Sequence, residues 1–261
     1  MMLVAKNLKV GYDERIIIEN LSLEINKGEI TSIIGPNGSG KSTLLKTLSK
    51  MISPKQGEVF LEGKNIKHIN RKKISQKLCL LSQDNQLPAD LTVEQFVYYG
   101  RVPHKKWYEP RRSEDSELVN WSLEETRLVK YKYAPISTLS GGERQRAYIA
   151  QALCQKPEIL LLDEPTTHLD ISYQLELMEL VRELNEKFGI TVIMVLHELN
   201  QASRYSDRMI VMQEGAVIAD GRPEEVITQD MMRQVYCVEC EIDCDPISQK
   251  PRIYPIQRIR D

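Results

Sequence analysis

Apolar and polar positions alternate over residues 3–10 and 16–25, the period of half-buried antiparallel strands, with Gly11-Tyr12-Asp13-Glu14 between them as a turn. Further along the pattern changes. Ile30-Thr31-Ser32-Ile33-Ile34, Ile159–Leu162, Val192–Leu196 and Met209–Met212 are short, nearly continuous apolar runs, as strands buried on both faces are. Ser42–Lys50 reads as a helix. So does Ile171–Phe188, where Leu175, Leu177, Met178, Leu180, Val181 and Leu184 mark the apolar positions. Buried strands alternating with helices predict an α/β fold built on a mainly parallel sheet. The stretch 88–157 has few β-branched runs and reads as a helical insertion, with a basic, proline-containing loop at Arg101–Arg112. From Met232 onward the chain reads as short strands, with Pro246, Pro251 and Pro255 as breakers.

Composition narrows the class. The 261 residues suit one large domain, or one domain carrying an inserted subdomain. A hydrophobic share of 41% is enough for a sizeable core, and a net charge of −2 provides no global attraction to nucleic acid or a membrane surface. No apolar run approaches the roughly 18 residues of a membrane span, and the N-terminus has no signal-peptide pattern. Any role at a membrane is therefore expected to run through a partner. The odd set Cys79, Cys154, Cys237, Cys240 and Cys244 predicts reduced thiols.

The strongest chemical signal is Gly35-Pro36-Asn37-Gly38-Ser39-Gly40-Lys41-Ser42, followed by Thr43. It is a G-x-x-x-x-G-K-[ST] phosphate loop placed between a strand and a helix. Glycines let successive N–H groups converge on phosphate oxygens, and the helix N-terminus adds partial positive charge. Lys41 is a mobile charge for the β- and γ-phosphates of ATP, and the Ser42 hydroxyl suits Mg²⁺. Leu160-Leu161-Leu162-Asp163-Glu164 supplies carboxylates at the end of a buried strand, with Asp163 as a Mg²⁺ group and Glu164 as the base for an attacking water. Alone, an apolar run ending in Asp-Glu is a strand entering a turn; paired with the loop it reads as a site.

Leu139-Ser140-Gly141-Gly142-Glu143-Arg144-Gln145-Arg146 opens a long helix and resembles the signature motif of ABC ATPases. The order of phosphate loop, signature and acidic strand is that family's. The resemblance covers nearly the whole chain. It implies a P-loop NTPase with a RecA-like core, an N-terminal antiparallel β-subdomain and an inserted α-helical subdomain. The nucleotide-binding domain would span 3–238, with its core at 3–87 and 158–238 and its helical part at 88–157; a short β extension would occupy 239–261. It also brings in residues that spacing alone leaves unassigned. Tyr12 resembles the aromatic that stacks on adenine, and Gln83 the lid glutamine that senses Mg²⁺ and water. Thr167-His168-Leu169-Asp170 resembles the loop that touches a second subunit, and His197 the switch histidine on the γ-phosphate. Two copies would then meet head to tail, each ATP lying between one chain's Lys41 loop and the other's Ser140–Gly142.

A cassette without a membrane span resembles a bacterial importer subunit. Gly100-Arg101-Val102-Pro103-His104, Leu169-Asp170-Ile171-Ser172-Tyr173-Gln174, His197-Glu198-Leu199-Asn200-Gln201-Ala202 and the ending around Asp245-Pro246 are similar to the importers of ferric siderophores, haem and cobalamin. The implied partners are a transmembrane permease and, indirectly, an extracytoplasmic substrate-binding protein. The implied place is the cytoplasmic face of the cell membrane. Import of manganese, zinc or a polar solute stays open as an alternative cargo. A nucleic-acid-acting ABC ATPase is the remaining alternative, but residues 43–138 hold no sustained heptads and the chain has a single cassette. Cys237, Cys240 and Cys244 have metal-like spacing, yet Cys240, Ile242 and Cys244 alternate as one packed strand face would. The basic residues of Lys64–Lys77 fall at helical spacing and predict a solvated face.

Overall fold

The computed structural model describes residues 1–82, 90–106 and 108–259. Its first two strands, β1 (Leu3–Tyr12) and β2 (Arg15–Ile25), form an antiparallel hairpin. Both run closer to the turn than the alternation predicts. Asp13 takes φ = 46°, so Asp13-Glu14 alone reverse the chain and Tyr12 ends a strand. Within β1 the buried positions shift from Leu3 and Ala5 to Leu8 and Val10. A register irregularity between Ala5 and Leu8, with Asn7 at φ = 48°, returns both pairs to the same face.

Along the chain follow β3 (Ile30–Ile34), α1 (Lys41–Leu48), β4 (Gln56–Leu61), β5 (Lys64–Asn65), α2 (Arg71–Lys77) and β6 (Leu78–Leu81). Next come α3 (Val93–Tyr98), α4 (Ser113–Glu125), α5 (Gly141–Cys154), β7 (Ile159–Asp163), α6 (Ile171–Phe188) and β8 (Thr191–Val195). The chain closes with α7 (Leu199–Tyr205), β9 (Arg208–Gln213), β10 (Ala216–Gly221), α8 (Pro223–Val226), α9 (Gln229–Tyr236), β11 (Val238–Cys244) and β12 (Pro251–Arg258). An antiparallel sheet orders β2-β1-β4-β5, and a mainly parallel one orders β10-β9-β3-β8-β7-β6.

Every residue of β3, β7 and β8 is buried, which is why their sequences are almost continuously apolar. Alternate side chains enter two different cores. Ile33, Leu161, Ile193 and Val195 pack with Leu44, Leu45 and the antiparallel sheet. Ile34, Leu160, Leu162, Val192 and Met194 pack toward the helices, with Ala147 and Leu153 of α5 and Met178 and Val181 of α6.

Two expectations need correction. The basic residues of 64–77 do not share one helix. The Asn65 and Asn70 side chains accept hydrogen bonds from the Lys67 and Lys72 amides, so each caps a new turn and splits the run. Met232 belongs to α9 and not to a strand. Thr228 caps that helix through the Met231 amide, and Met231, Met232 and Val235 face the core. Strand structure resumes only at β11. There Cys240, Ile242 and Cys244 share a face as expected, with Cys240 buried and Cys244 exposed, while Cys237 is exposed at the end of α9. Among the described residues no group of three His, Cys, Asp or Glu is arranged to hold a metal, and no helix is long and apolar enough to cross a membrane.

The 3₁₀ segment Tyr99–His104 is clamped between helices by partly buried polar bonds. Arg101 Nη1 donates to the Cys154 carbonyl at 2.9 Å, and His104 Nε2 lies 2.8 Å from the Gln155 carbonyl. The knot is Asp115, which accepts from Arg101 Nε (3.1 Å), Lys105 Nζ (2.7 Å) and the Arg112 amide (3.0 Å). Burial pushes its carboxyl upward, but the bonds from Lys105, the Arg112 amide and Arg101 outweigh burial and bring it from 3.8 to about 2. Asp115→Ala should therefore destabilise the protein by about 2 kcal/mol at neutral pH, as measured by urea unfolding. A depressed pKa contributes fully above 3.8 and is lost as the pH falls through about 2, so the gap between wild type and variant should close over that window. Equal stability at neutral pH would remove Asp115 from the framework.

Candidate functional site

Strands β3, β8 and β7 are neighbours in that order and end in line: Val195 stands opposite both Ile33 and Asp163. The segments that follow them therefore meet at one edge of the sheet, where open α/β sheets bind ligands. Gly35 leads out of β3 at φ = 147°, and a Cβ there would lie 2.0 Å from the Met212 carbonyl oxygen, so no other residue fits the exit. The loop turns on a bond from the Ser39 amide to the Pro36 carbonyl (3.2 Å) and is tied to the β9–β10 turn by the Gly215 amide on the Ser39 carbonyl (3.1 Å).

Lys41 Nζ donates to the Gly35 and Pro36 carbonyls, each at 2.9 Å, which holds the ammonium inside the hollow of the loop. Burial lowers its pKa, and the charges of Glu164 and Asp163 oppose that fall. One residue on, Ser42 Oγ donates to Asp163 Oδ1 at 2.7 Å. Asp163 is buried, which raises its pKa, while the Ser42 bond and the Lys46 charge work against the rise. The Ser39 hydroxyl is buried in the same loop with no hydrogen-bond partner among the described residues. An orphan donor beside a lysine and a helix N-terminus fits a phosphate oxygen. A hydroxyl and a carboxylate joined in this way are the hard oxygen donors that Mg²⁺ takes.

Glu164 follows β7 in the left-handed region at φ = 53°. Its amide adds one more rung to the sheet, donating to the Val195 carbonyl at 3.2 Å. His197, two residues beyond β8, places Nε2 at 2.6 Å from Glu164 Oε1, and Thr167 Oγ1 donates to Glu164 Oε2 at 3.3 Å. Together Tyr12, Asn37, Gly38, Gly40, Lys41, Ser42, Thr43, Glu164 and His197 line a cleft of about 680 Å³. Tyr12, 47% exposed, stands among its walls.

Most residues expected from the sequence thus converge. Ser140, Gly141, Gly142 and Asp170 do not line the cleft. Ser140 caps α5 reciprocally with Glu143, Oγ to the Glu143 amide (3.4 Å) and the Ser140 amide to Glu143 Oε2 (2.9 Å). Ser140 and Gly141 are exposed, and so is Asp170 at the start of α6. Gln83 lies outside the described residues. The structure also supplies reasons that spacing did not. Arg15 and Ile17 join the cleft wall, announced in the sequence only by a cation at a strand start. A Cβ on Gly142 would sit 2.4 Å from Tyr173 Cδ1, so this glycine is required by the packing of α5 on α6.

The family model described as ABC transporter matches residues 18–167. The iron(3+)-hydroxamate import ATP-binding protein FhuC of Bacillus subtilis (strain 168) is 45% identical, covering 95% of this chain and 93% of its own length. The ferric enterobactin transport ATP-binding protein FepC of Escherichia coli (strain K12) is 44% identical, covering 97% and 93%. Among solved structures, an ATP-binding cassette in a dimeric post-hydrolysis state with ADP and Pi bound superposes with a TM-score of 0.72 at 31% identity, covering 85% of this chain and 98% of that one.

The mouth of the cleft generates a test. A ring at Tyr12 offers a π-face and no base-specific hydrogen bonds, and such stacking contributes about 1–3 kcal/mol. Tyr12→Ala should weaken ATP binding by about tenfold in calorimetric titration, with GTP affected similarly and Mg²⁺ dependence unchanged. Unaltered affinity would take Tyr12 out of the site.

Proposed function

This chain belongs to the ABC transporter family, and on that premise we propose that it is the ATP-binding and ATP-hydrolysing subunit of a bacterial importer, energising uptake of a ferric siderophore. The observation that carries the chemistry is the meeting of Lys41, Ser42, Asp163, Glu164 and His197 at one sheet edge. The cargo class rests on relatives named for iron(3+)-hydroxamate and ferric enterobactin.

In this reading the amides of residues 37–42 and the Lys41 ammonium hold the β- and γ-phosphates, and Tyr12 stacks on adenine. Two loop carbonyls hold Lys41 in place, and the charges of Glu164 and Asp163 oppose the lowering of its pKa by burial. Ser42 and Asp163 would hold Mg²⁺, with Gln83 joining them; the ion supplies neutralisation of phosphate charge. Glu164 takes the proton of the attacking water, so that ATP and water give ADP and phosphate. His197 and Thr167 fix the two carboxylate oxygens, leaving the base with a set direction.

The exposed positions of Ser140, Gly141 and Asp170, away from their own chain's cleft, support a head-to-tail pair in which each copy completes the other's site. The related cassette solved as a dimer with ADP and Pi bound supports the same arrangement. The pair would act on a transmembrane permease from the cytoplasmic face, with an extracytoplasmic binding protein delivering the chelate; the net charge of −2 favours no nucleic-acid partner. The division into a core at 3–87 and 158–238, a helical part at 88–157 and an extension at 239–261 is proposed with it. It is supported by α3, α4 and α5 falling in the middle stretch and by β11 and β12 pairing, among the described residues, only with each other.

Glu164→Gln preserves volume and removes the base. Hydrolysis should fall by about 10²–10⁴-fold, read by phosphate release, while ATP affinity stays near wild type. The variant should accumulate as an ATP-bound dimer in size-exclusion with light scattering. Wild-type turnover would sink the role of Glu164, and loss of hydrolysis without dimerisation would count against the shared site.

A further inference from the structure

The stretches Leu169–Gln174 and His197–Ala202 contain polar residues that the hydrolytic site leaves unused, and the fold joins them. Gln174 lies in the first turn of α6, where its amide donates to the Asp170 carbonyl and its Nε2 to the Leu169 carbonyl, both at 2.9 Å. Its Oε1 accepts from Gln201 Nε2 at 2.6 Å. Gln201 is in the first turn of α7, four residues after His197. The Gln201 Oε1 is buried with no partner among the described residues, so the amide carries the cost of an unmet acceptor while its Nε2 bonds Gln174.

On its other side α7 is sewn to the C-terminal hairpin. Asn200 Nδ2 donates to the Ile253 carbonyl (3.1 Å) while its Oδ1 accepts from the Ile253 amide (2.8 Å), so one side chain takes the place of a neighbouring strand for β12. Ser203 Oγ donates to the Pro251 carbonyl at 2.6 Å, and Lys250 Nζ donates to the Ser206 carbonyl. A helix of seven residues has little stability of its own. The place of α7, and of His197 two residues before it, is therefore set by what holds it on both flanks.

We propose that Gln174, Gln201 and Asn200 are positioning residues: they bind the Asp170 loop, the His197 segment and the C-terminal hairpin into one hydrogen-bonded relay that keeps His197 on Glu164. The catalytic half of this inference rests on Glu164 being the base. The relay touches neither the phosphate loop nor Tyr12, so its loss acts on turnover and spares nucleotide binding.

The test uses the full-length chain carrying Gln201→Leu, Asn200→Ala or Gln174→Glu, with hydrogen–deuterium exchange and steady-state ATPase measured side by side. Gln201→Leu should speed amide exchange at both 169–171 and 197–199. Asn200→Ala should do so at 197–199 and in the hairpin. Gln174→Glu keeps the acceptor for Gln201 and loses the donor to Leu169, so only 169–171 should loosen. For Gln201→Leu and Asn200→Ala, kcat should drop by about five- to tenfold, the scale of one lost hydrogen bond, with KM for ATP unchanged; on a His197→Ala background Gln201→Leu should add no further loss. Exchange changes confined to the substituted residue would overturn the relay. An unchanged kcat, in a protein whose hydrolysis Glu164→Gln abolishes, would overturn its catalytic role. If Glu164→Gln itself still turned over, the base assignment would fall and the exchange data alone would judge the relay.

Discussion

The hydrogen bond from Ser42 to Asp163 joins the helix after β3 to the end of β7, across 121 residues of sequence, and the site is organised around it. Lys41 and Asp163 are each 5% exposed, and a buried charge without an opposite charge is among the most expensive features a fold can carry. Here each one relieves the other. Asp163 and Glu164 counter the loss of hydration at Lys41, while Ser42 and the Lys46 and Lys41 charges do the same for Asp163. The arrangement requires β3, β8 and β7 to end level. The register of the parallel sheet provides this, since Val195 stands opposite both Ile33 and Asp163.

Around that fixed point the molecule places its less settled parts. Glu164 adopts a left-handed backbone that a glutamate rarely takes, and strain of this kind is held by a firm surrounding structure. Val195, Thr167 and His197 provide it from three directions. Ser140, Gly141 and Asp170, the residues proposed to meet a second copy, are exposed. Gln174 and Gln201 link that outer surface to the segment bearing His197. In the proposed pair, contact at the Asp170 loop would have a short physical route through these bonds to the segment bearing His197.

Much of this is legible in the amino-acid sequence. Nearly continuous apolar runs announced β3, β7 and β8, because strands covered on both faces are mostly apolar, with Thr31 and Ser32 as buried polar exceptions in β3. The phosphate loop was legible because its glycines answer to local backbone demands, such as the closed exit at Gly35. The start of α5 was legible because Ser140 and Glu143 form its cap within four residues, whereas its likeness to a signature motif rested on resemblance. Where local signals were weak, the reading drifted: Asn65 and Asn70 broke a basic run that looked helical, and Met232 joined a helix because the apolar positions at 231, 232 and 235 found a core to face.

The sequence by itself determined the elements whose cause is local, namely the strand and helix periods, the phosphate loop, the acids ending β7 and the capped signature. Only the tertiary structure decided which polar groups became partners: Ser42 with Asp163, His197 with Glu164, Gln174 with Gln201, and Asn200 with Ile253. It also decided that Gly142 must be a glycine, since Tyr173 occupies the space a side chain would need. The physical reason is the same throughout. Periodicity reports what one segment does against water and a generic core, whereas a hydrogen bond between segments depends on the distance and angle at which two layers come to rest, and no single stretch of chain contains that information.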